Sequence, residues 1–416
     1  MEYITDFHVH SRYAMACSKN ITIRGMDDAA FNTGLQLIGT GDFTHPLWFS
    51  EIKEQLKEYS KGIYQLKGEN RGTKFMLTCE IGTTFDEDNK SRRIHNVVVA
   101  PNMEAVEQIN AELAKLTNLS ADGRPQLNIS ASDLVERLFE IDKNMFVFPA
   151  HIWTPWFAAL GEFSGYSSIK EAYQDQEKNI RAVETGLSSD PDMNWRVSSL
   201  DKYALLSNSD AHSLPKMGRE ANVFDIRGEL TLNEVLNAVK DNDSKKLKMT
   251  IEFYPEAGKY HYDGHRNCNV CLHPKDALKF NNRCPVCGRK ITVGVLHRVE
   301  ELADRDEGYV RNNAVPFVHC VPLLDVIAYM KEKTPISKPV RALYEQIVAK
   351  FGSEYNVLLK ADYEAIAAID EDTAIAIDRV RKGKVNLIPS YDGVFGTVDI
   401  MNRIKKKDNG RQAQLI

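Results

Sequence analysis

Six short apolar runs are spaced through the first 245 residues with amphipathic stretches between them, and this alternation narrows the possible folds more than any other feature. The runs are LQLIGTGD (35–42), KFMLTCEIG (74–82), HNVVVAP (95–101), NMFVFPAH (144–151), IRAVETG (180–186) and YALLSNSDAH (203–212). Unbroken apolar runs of this length read as parallel strands buried on both faces. The intervening WFSEIKEQLKEYSKG (48–62) and SASDLVERLFEID (130–142) have helical periodicity, and Ser130 or Ser132 is placed to cap the second. Strands separated by helices over this length predict an α/β architecture, most simply a barrel.

Functional residues in such folds gather at the carboxyl ends of the strands. Asp42, Glu80, His151, Asp210 and His212 each sit at or just after the end of an apolar run, whereas His95 opens one. The opening DFHVHS (6–11) carries a related signal. His8 and His10 are two residues apart, so in a strand they share one face while Val9 packs the other way. SDAH (209–212) repeats the spacing with Asp210 and His212. Imidazole nitrogens together with carboxylate oxygens suit zinc, manganese or iron. A carboxylate such as Glu80 can bridge two cations. A chain with eleven histidines places some at strand ends by chance, and it is the ordered series HxH, Glu, DxH that favours metal.

FHVHS, GTGDFTH, TCEI, HNVVV, PAHIW and NSDAH are similar to the successive motifs of the polymerase and histidinol phosphatase (PHP) superfamily. The resemblance implies a distorted (β/α)7 barrel that hydrolyses phosphoesters with two or three divalent ions, Zn, Mn or Mg. Carried onto this chain, it implies that His8, His10, Glu80 and Asp210 hold one metal and that Glu80, His95 and His151 hold a second. His212 would contribute to a third, and the catalytic set would be His8, His10, Glu80, Asp210 and His212. Asp42 joins the implied ligands, although Asp42-Phe43 stands where many members have Asp-His, with His45 two residues on.

A composition shift follows at the charged connector DNDSKKLKM (241–249). Residues 246–300 hold four of the seven cysteines, Cys268, Cys271, Cys284 and Cys287, as two CxxC pairs; Cys17, Cys79 and Cys320 are scattered. That spacing fits one structural zinc held by four thiolates, with His261, His265 and His273 read as surface residues. Arg266, Lys275, Lys279, Arg283, Arg289, Lys290 and Arg298 make the segment locally basic, which suits either a nucleic-acid clamp or a solvated face. From 301 to 416 the pattern turns helical, giving an expected division into a barrel (1–245), a zinc module (246–300) and a helical domain (301–416).

The net charge of −5 marks no global nucleic-acid binder, so any such surface must be local. The longest apolar runs fall short of a bilayer span and the N-terminus carries no signal-peptide pattern, so a cytoplasmic protein is expected. No G-x-x-x-x-G-K-[ST] occurs, which argues against an NTP-driven motor. The loop HIWTPWFAALGEFSGY (151–166) follows the run that delivers His151. Its Trp153, Trp156, Phe157, Phe163 and Tyr166, joined by Trp195, either stack on nucleobases or pack as a lid. Arg12 or Lys19, just beyond HxH, is a candidate to brace a phosphate.

A PHP barrel, a four-cysteine module and a helical tail ending in IPSYDGVFG together resemble the endonuclease Q family. That resemblance implies a DNA repair enzyme that nicks on the 5′ side of deaminated bases (uracil, hypoxanthine, xanthine) and of abasic sites. Damaged DNA is then the partner, and a sliding clamp a further one, GRQAQLI being faintly like a clamp-binding peptide. A phosphatase for a small phosphomonoester is the alternative enzyme. A DNA-binding adaptor with a purely structural barrel is the alternative outside enzymes.

Overall fold

The structure, a computed structural model, describes residues 1–242 and 244–404. The segment that resembles a clamp-binding peptide lies outside the described residues. The chain forms two compact units: residues 1–186, 191–251 and 303–318 in the first, and 187–190, 252–302 and 319 onwards in the second.

Seven strands of the first unit close a ring: β1 (Glu2–Asp6), β2 (Leu37–Gly39), β3 (Lys74–Glu87), β4 (Lys90–Ala100), β5 (Phe146–Pro149), β6 (Ala182–Glu184) and β7 (Ala204–Leu206). β1 pairs with β2 and β2 with β3 in parallel, in registers Thr5↔Leu37 and Leu37↔Lys74. β6 and β7 are also parallel, Ala182 facing Ala204. Two seams close the circle with single bonds, Ile152 N to the Glu184 carbonyl (3.0 Å) and His10 N to the Ala211 carbonyl (3.1 Å). The result is a distorted (β/α)7 barrel. Phe7, Leu37, Met76, Val97, Phe148 and Leu206 fill its buried core.

One strand breaks the expected parallel pattern. β4 runs antiparallel to β3, from Leu77↔Ala100 to Glu87↔Lys90, and antiparallel to β5. Only Asp88 and Asn89 separate β3 from β4, at φ 50° and 60°. Two left-handed residues make a tight hairpin turn, for which Asp and Asn are suited, and a parallel crossover would need a dozen residues or more. The reversal resolves why His95 opens its run. In an antiparallel strand the N-terminal half lies beside the carboxyl end of its neighbour, and His95 faces Gly82, two residues beyond Glu80.

The helices follow local signals. Ala131–Ile141 starts at Ser130, whose hydroxyl accepts from Asp133 N while the Asp133 carboxylate accepts from Ser130 N. Such a capping box contributes about 1 kcal/mol. The helix expected over 48–62 stops at Gln55, and Leu56–Ser60 is a strand that turns back at Lys61-Gly62 onto Ile63–Leu66. Gly62 sits at φ +75°, where a side chain would meet Leu232, so the two-residue turn overrides the helical periodicity.

In the second unit, helices Leu323–Lys331, Lys338–Phe351 and Glu371–Arg381 pack around Leu323, Val326, Val340, Ile347 and Ile377. A hairpin absent from the sequence reading, Asn386–Ile388 with Thr397–Asp399, follows them. The three-way division expected at 245 and 300 differs from these two units. The cysteine segment shares a unit with the helices, joined by Tyr262 N to the Ser390 carbonyl and Thr292 Oγ1 to Asp392 (2.6 Å). Residues 303–318 belong to the barrel, tied by the Arg305–Asp201 ion pair. Among the described residues no helix is long and apolar enough to cross a membrane.

Candidate metal centre

Four candidate ligands converge from three barrel strands. His8 and His10 follow β1, Glu80 lies on β3 and Asp210 follows β7, and their ligand atoms lie within 4.8 Å of one another. A second group, Glu80, His95 and His151, converges equally tightly from β3, β4 and the end of β5. Glu80 serves both. Its Oε2 faces His8 Nε2 (3.6 Å) and His10 Nε2 (3.4 Å), while its Oε1 faces His95 Nδ1 (2.7 Å) and His151 Nε2 (3.3 Å). One carboxylate thus presents one oxygen to each group, the geometry of a bridge between two cations.

Three buried atoms here, His8 Nε2, Glu80 Oε2 and His95 Nδ1, have no hydrogen-bond partner. Each such atom costs about 1–3 kcal/mol when left unsatisfied; a cation in the first group would engage His8 Nε2 and Glu80 Oε2, and one in the second would engage His95 Nδ1. The donor set and these orphaned lone pairs fit bound metal. Burial disfavours charge on His8, yet Glu184 and Glu80 outweigh it and hold its pKa well above the ordinary value. Burial likewise opposes charge on His10, but Asp42 and Asp210 raise it to about 9. For Glu80, burial is overcome by His95 and His8, which keep its carboxyl far below the usual range.

The imidazoles are aimed from behind. Glu184, the last residue of β6, accepts from His8 Nδ1 through both oxygens at 3.1 Å, from His151 N at 2.7 Å and from Asn208 Nδ2 at 2.8 Å. Asp42 accepts from His10 Nδ1 (3.0 Å) and Ser11 N (2.6 Å). A carboxylate on Nδ1 fixes the tautomer that leaves Nε2 for a cation. Asp42, expected as a ligand, lies outside the two groups, with one oxygen on His10 Nδ1 and the other on Ser11 N. Asp42, His151 and Asp210 have φ of 47°, 29° and 47°, left-handed values that non-glycine residues rarely adopt. Such strain, costing about 1–3 kcal/mol each, concentrates at functional sites.

Other expected members fall outside the two groups. His212 donates from Nδ1 to the Asp210 carbonyl (2.8 Å) and lays its ring against His10 at 4.8 Å. His45 stacks on Tyr13 at 4.3 Å and begins the helix Pro46–Gln55. Arg12 is paired with Glu51 at 2.6 Å, and Lys19 bonds the Arg12 carbonyl. Trp153 is a core residue, 1% exposed, donating from Nε1 to Asn194 at 2.8 Å. Tyr166 is 3% exposed, its hydroxyl on Glu87 and Arg92 over its ring. Trp195 is buried against Phe317. Trp156 differs, for it stacks on Phe163 with ring centres 3.7 Å apart, and the two are 40% and 46% exposed. Phe157, between them in sequence, packs on His95 at 4.7 Å.

The thiol cluster departs from the expected ligand set. His265, Cys268, Cys284 and Cys287 bring their ligand atoms within 4.8 Å, and Cys271 is not among them. Strand parity explains the exchange. In the hairpin Asp263–His265 with Val270–Leu272, Cys271 lies opposite Gly264, so its side chain leaves the face that His265 occupies. Cys271 is then directed towards the side where a Cβ on Gly264 would meet Tyr391. His265 Nδ1 takes the fourth place, 3.5 Å from Cys287 Sγ.

Known proteins resemble this chain over nearly its whole length. It is 30% identical over 412 residues to the uncharacterised Bacillus subtilis protein YqxK, covering 94% of this chain and 98% of that one. The crystal structure of the lesion-specific endonuclease PfuEndoQ from Pyrococcus furiosus superposes with a TM-score of 0.85 at 32% identity, covering 99% of both chains. The chain belongs to the endonuclease Q family. A second structure of the family, endonuclease Q with a 27-mer duplex carrying an abasic lesion at its active site, gives a TM-score of 0.86 at 32% identity, covering 98% of this chain and all of that one. A family model described as the MJ0043 C-terminal domain matches residues 322–384. The Methanocaldococcus jannaschii protein MJ0043 itself is 33% identical over 252 residues, 59% of this chain, which spans about a third (31%) of that longer protein.

Two residues of the centre were missed from sequence. Glu184 lies two residues before the end of the run IRAVETG, as Glu80 does in KFMLTCEIG, so the strand-end signal that marked Glu80 was present there too. Arg124, whose Nη1 lies 3.7 Å from Glu80 Oε2, sits in a loop with no periodicity and no motif, and nothing in the sequence marks it.

Proposed function

We propose that the chain is a metal-dependent DNA repair endonuclease that recognises deaminated bases (uracil, hypoxanthine, xanthine) and abasic sites and hydrolyses the phosphodiester on the 5′ side. The observation that carries this reading is the split carboxylate of Glu80, one oxygen towards His8, His10 and Asp210 and the other towards His95 and His151. The family's complex with an abasic duplex supports damaged DNA as the partner.

His8, His10, Glu80 and Asp210 would hold one divalent cation and Glu80, His95 and His151 another, with His212 beside the first. Such cations supply Lewis-acid chemistry, lowering the pKa of water towards about 7 and offsetting charge on phosphoryl oxygens. Glu184 and Asp42 keep the imidazoles of His8 and His10 in the ligating tautomer. One phosphodiester resembles another, so lesion choice rests on the base. A deaminated base carries a carbonyl where an amine stood, and its extrusion costs least at a mismatch. The exposed Trp156–Phe163 stack on the loop after His151 offers an aromatic face to a displaced base or to its neighbours. His265, Cys268, Cys284 and Cys287 would hold a structural zinc, and the protein would work in the cytoplasm.

The test is an end-labelled duplex carrying one uracil, hypoxanthine or abasic site, incubated with the protein and Mn, Mg or Zn. A nick mapping to the phosphate 5′ of the lesion, absent from undamaged duplex, is expected. Hydrolysis of a small phosphomonoester with every duplex left intact would overturn the reading.

A further inference from the structure

Two loops meet over one rim of the metal centre. Gly123 N donates to the Tyr13 carbonyl (3.1 Å), and Asp122 Oδ1 accepts from both Met15 N (3.2 Å) and Arg124 N (2.9 Å). A Cβ at Gly123 would meet Asp42 Oδ2 at 2.6 Å, so this chain presses directly on the carboxylate behind His10. On the other side the Pro125 carbonyl accepts from Gly82 N at 2.9 Å, two residues past Glu80. Arg124 is therefore fixed at the backbone on both flanks and aimed inward.

Its side chain is 19% exposed and its guanidinium is mostly uncommitted. Nη2 donates to the Met15 carbonyl at 3.2 Å, whereas Nη1 stands 3.7 Å from Glu80 Oε2, an ion pair without a hydrogen bond. A guanidinium carries five N–H donors in a planar fork shaped for two oxygens of a phosphate. Nearby cations are spent elsewhere: Arg12 on Glu51, and Arg219 on the carbonyls of Ser209 and Asp210. Glu80, Asp210, Asp122 and Asp42 surround Arg124, so its charge is assured although burial opposes it.

We propose that Arg124 is a catalytic residue of the hydrolysis, donating to a non-bridging oxygen of the scissile phosphodiester. The proposal rests on the nuclease reading above. As water oxygen bonds to phosphorus it gives up a proton to solvent, the bond to the leaving oxygen breaks with its electron pair, and that oxygen takes up a proton from solvent. Negative charge builds on the non-bridging oxygens, and a preorganised guanidinium stabilises it without reorganisation. Arg124 neither gives nor takes a proton in the step.

The test compares wild type, R124K and R124A on lesion duplex under single turnover, with metal content and duplex affinity measured for each. R124A is expected to lose about 100-fold or more in cleavage rate while affinity and metal content stay within about threefold. Added guanidinium ion restores at least about tenfold to R124A, and R124K regains only part because an ammonium cannot make the planar fork. The two phosphorothioate diastereomers at the scissile position are cut at different rates by wild type, and R124A narrows that difference. R124A cutting within about threefold of wild type would overturn the role, as would a loss matched by lost metal and unmoved by guanidinium. Wild type that nicks no lesion sinks the nuclease reading itself, and this proposal with it.

Discussion

The metal centre of the barrel and the thiol cluster of the second unit gather ligands in opposite ways. The barrel draws its donors from five separate stretches of chain between His8 and Asp210, each placed by its own strand. The thiol cluster takes all of its donors from the short segment 265–287. In the barrel, position is set by long-range topology, which brings side chains from five runs to one centre. In the hairpin, position is set by parity, and a shift of one residue sends a side chain to the other face. The barrel candidates named from strand ends come together, whereas in the hairpin His265 rather than Cys271 lies with the other three thiols.

Breaking the shared carboxylate should have the largest effect. Glu80→Gln keeps the shape but removes the charge that faces both groups, and lesion-nicking rates should fall by about 1,000-fold or more. Atomic absorption should show bound metal falling while the thiol-bound zinc stays. Unchanged nicking by Glu80→Gln would disconnect the cluster from the chemistry.

The supporting carboxylate should matter less. Glu184→Gln leaves His8 without its anionic partner and weakens the hold on the tautomer, an effect on metal affinity or rate of about 10–100-fold. Titrating metal against nicking rate measures it. A loss equal to that of Glu80→Gln would mean that Glu184 is itself a ligand.

The thiol cluster offers a sharper contrast. His265→Ala should lose the zinc and lower the melting temperature, whereas Cys271→Ser should keep a full equivalent of zinc by elemental analysis. The reverse outcome would restore the four-cysteine set inferred from spacing.

The smallest effect belongs to a carboxyl group that is part of neither site. Glu354 is buried, accepting from Leu323 N at 2.7 Å and paired with the Tyr344 hydroxyl at 3.0 Å. Burial raises its pKa from 4.5 to about 7. The folded state therefore holds this proton more tightly than the unfolded chain. The resulting stability, about 3 kcal/mol, is complete below pH 4.5 and disappears as pH rises through about 7. Denaturant midpoints at pH 5 and pH 8 should show that drop, and Glu354→Gln should flatten it. An equal drop in the variant would assign the pH dependence to other groups.

All six apolar runs chosen from sequence contain a barrel strand, because burial on both faces leaves an unmistakable stretch of apolar residues. The direction of β4 was not legible from its own run; it was written in Asp88-Asn89, a two-residue turn between stretches that were not read as strands. His8, His10, Glu80, His95, His151 and Asp210 were legible as candidates, and the fold brings them together. The split between Asp42 behind a ligand and Asp210 within the group was not, since both are strand-end aspartates at the same φ. Aromatic roles were legible only as a loop, for burial of Trp153 and Tyr166 and exposure of Trp156 are tertiary facts.

The central claim is that the carboxylate of Glu80 joins two cations, and anomalous scattering from crystals soaked in manganese tests it most directly. The account predicts two peaks about 3.5–4 Å apart, one on each side of that carboxylate, the first bounded by His8, His10 and Asp210 and the second by His95 and His151. A barrel with no peak, or with metal bound away from Glu80, would contradict it.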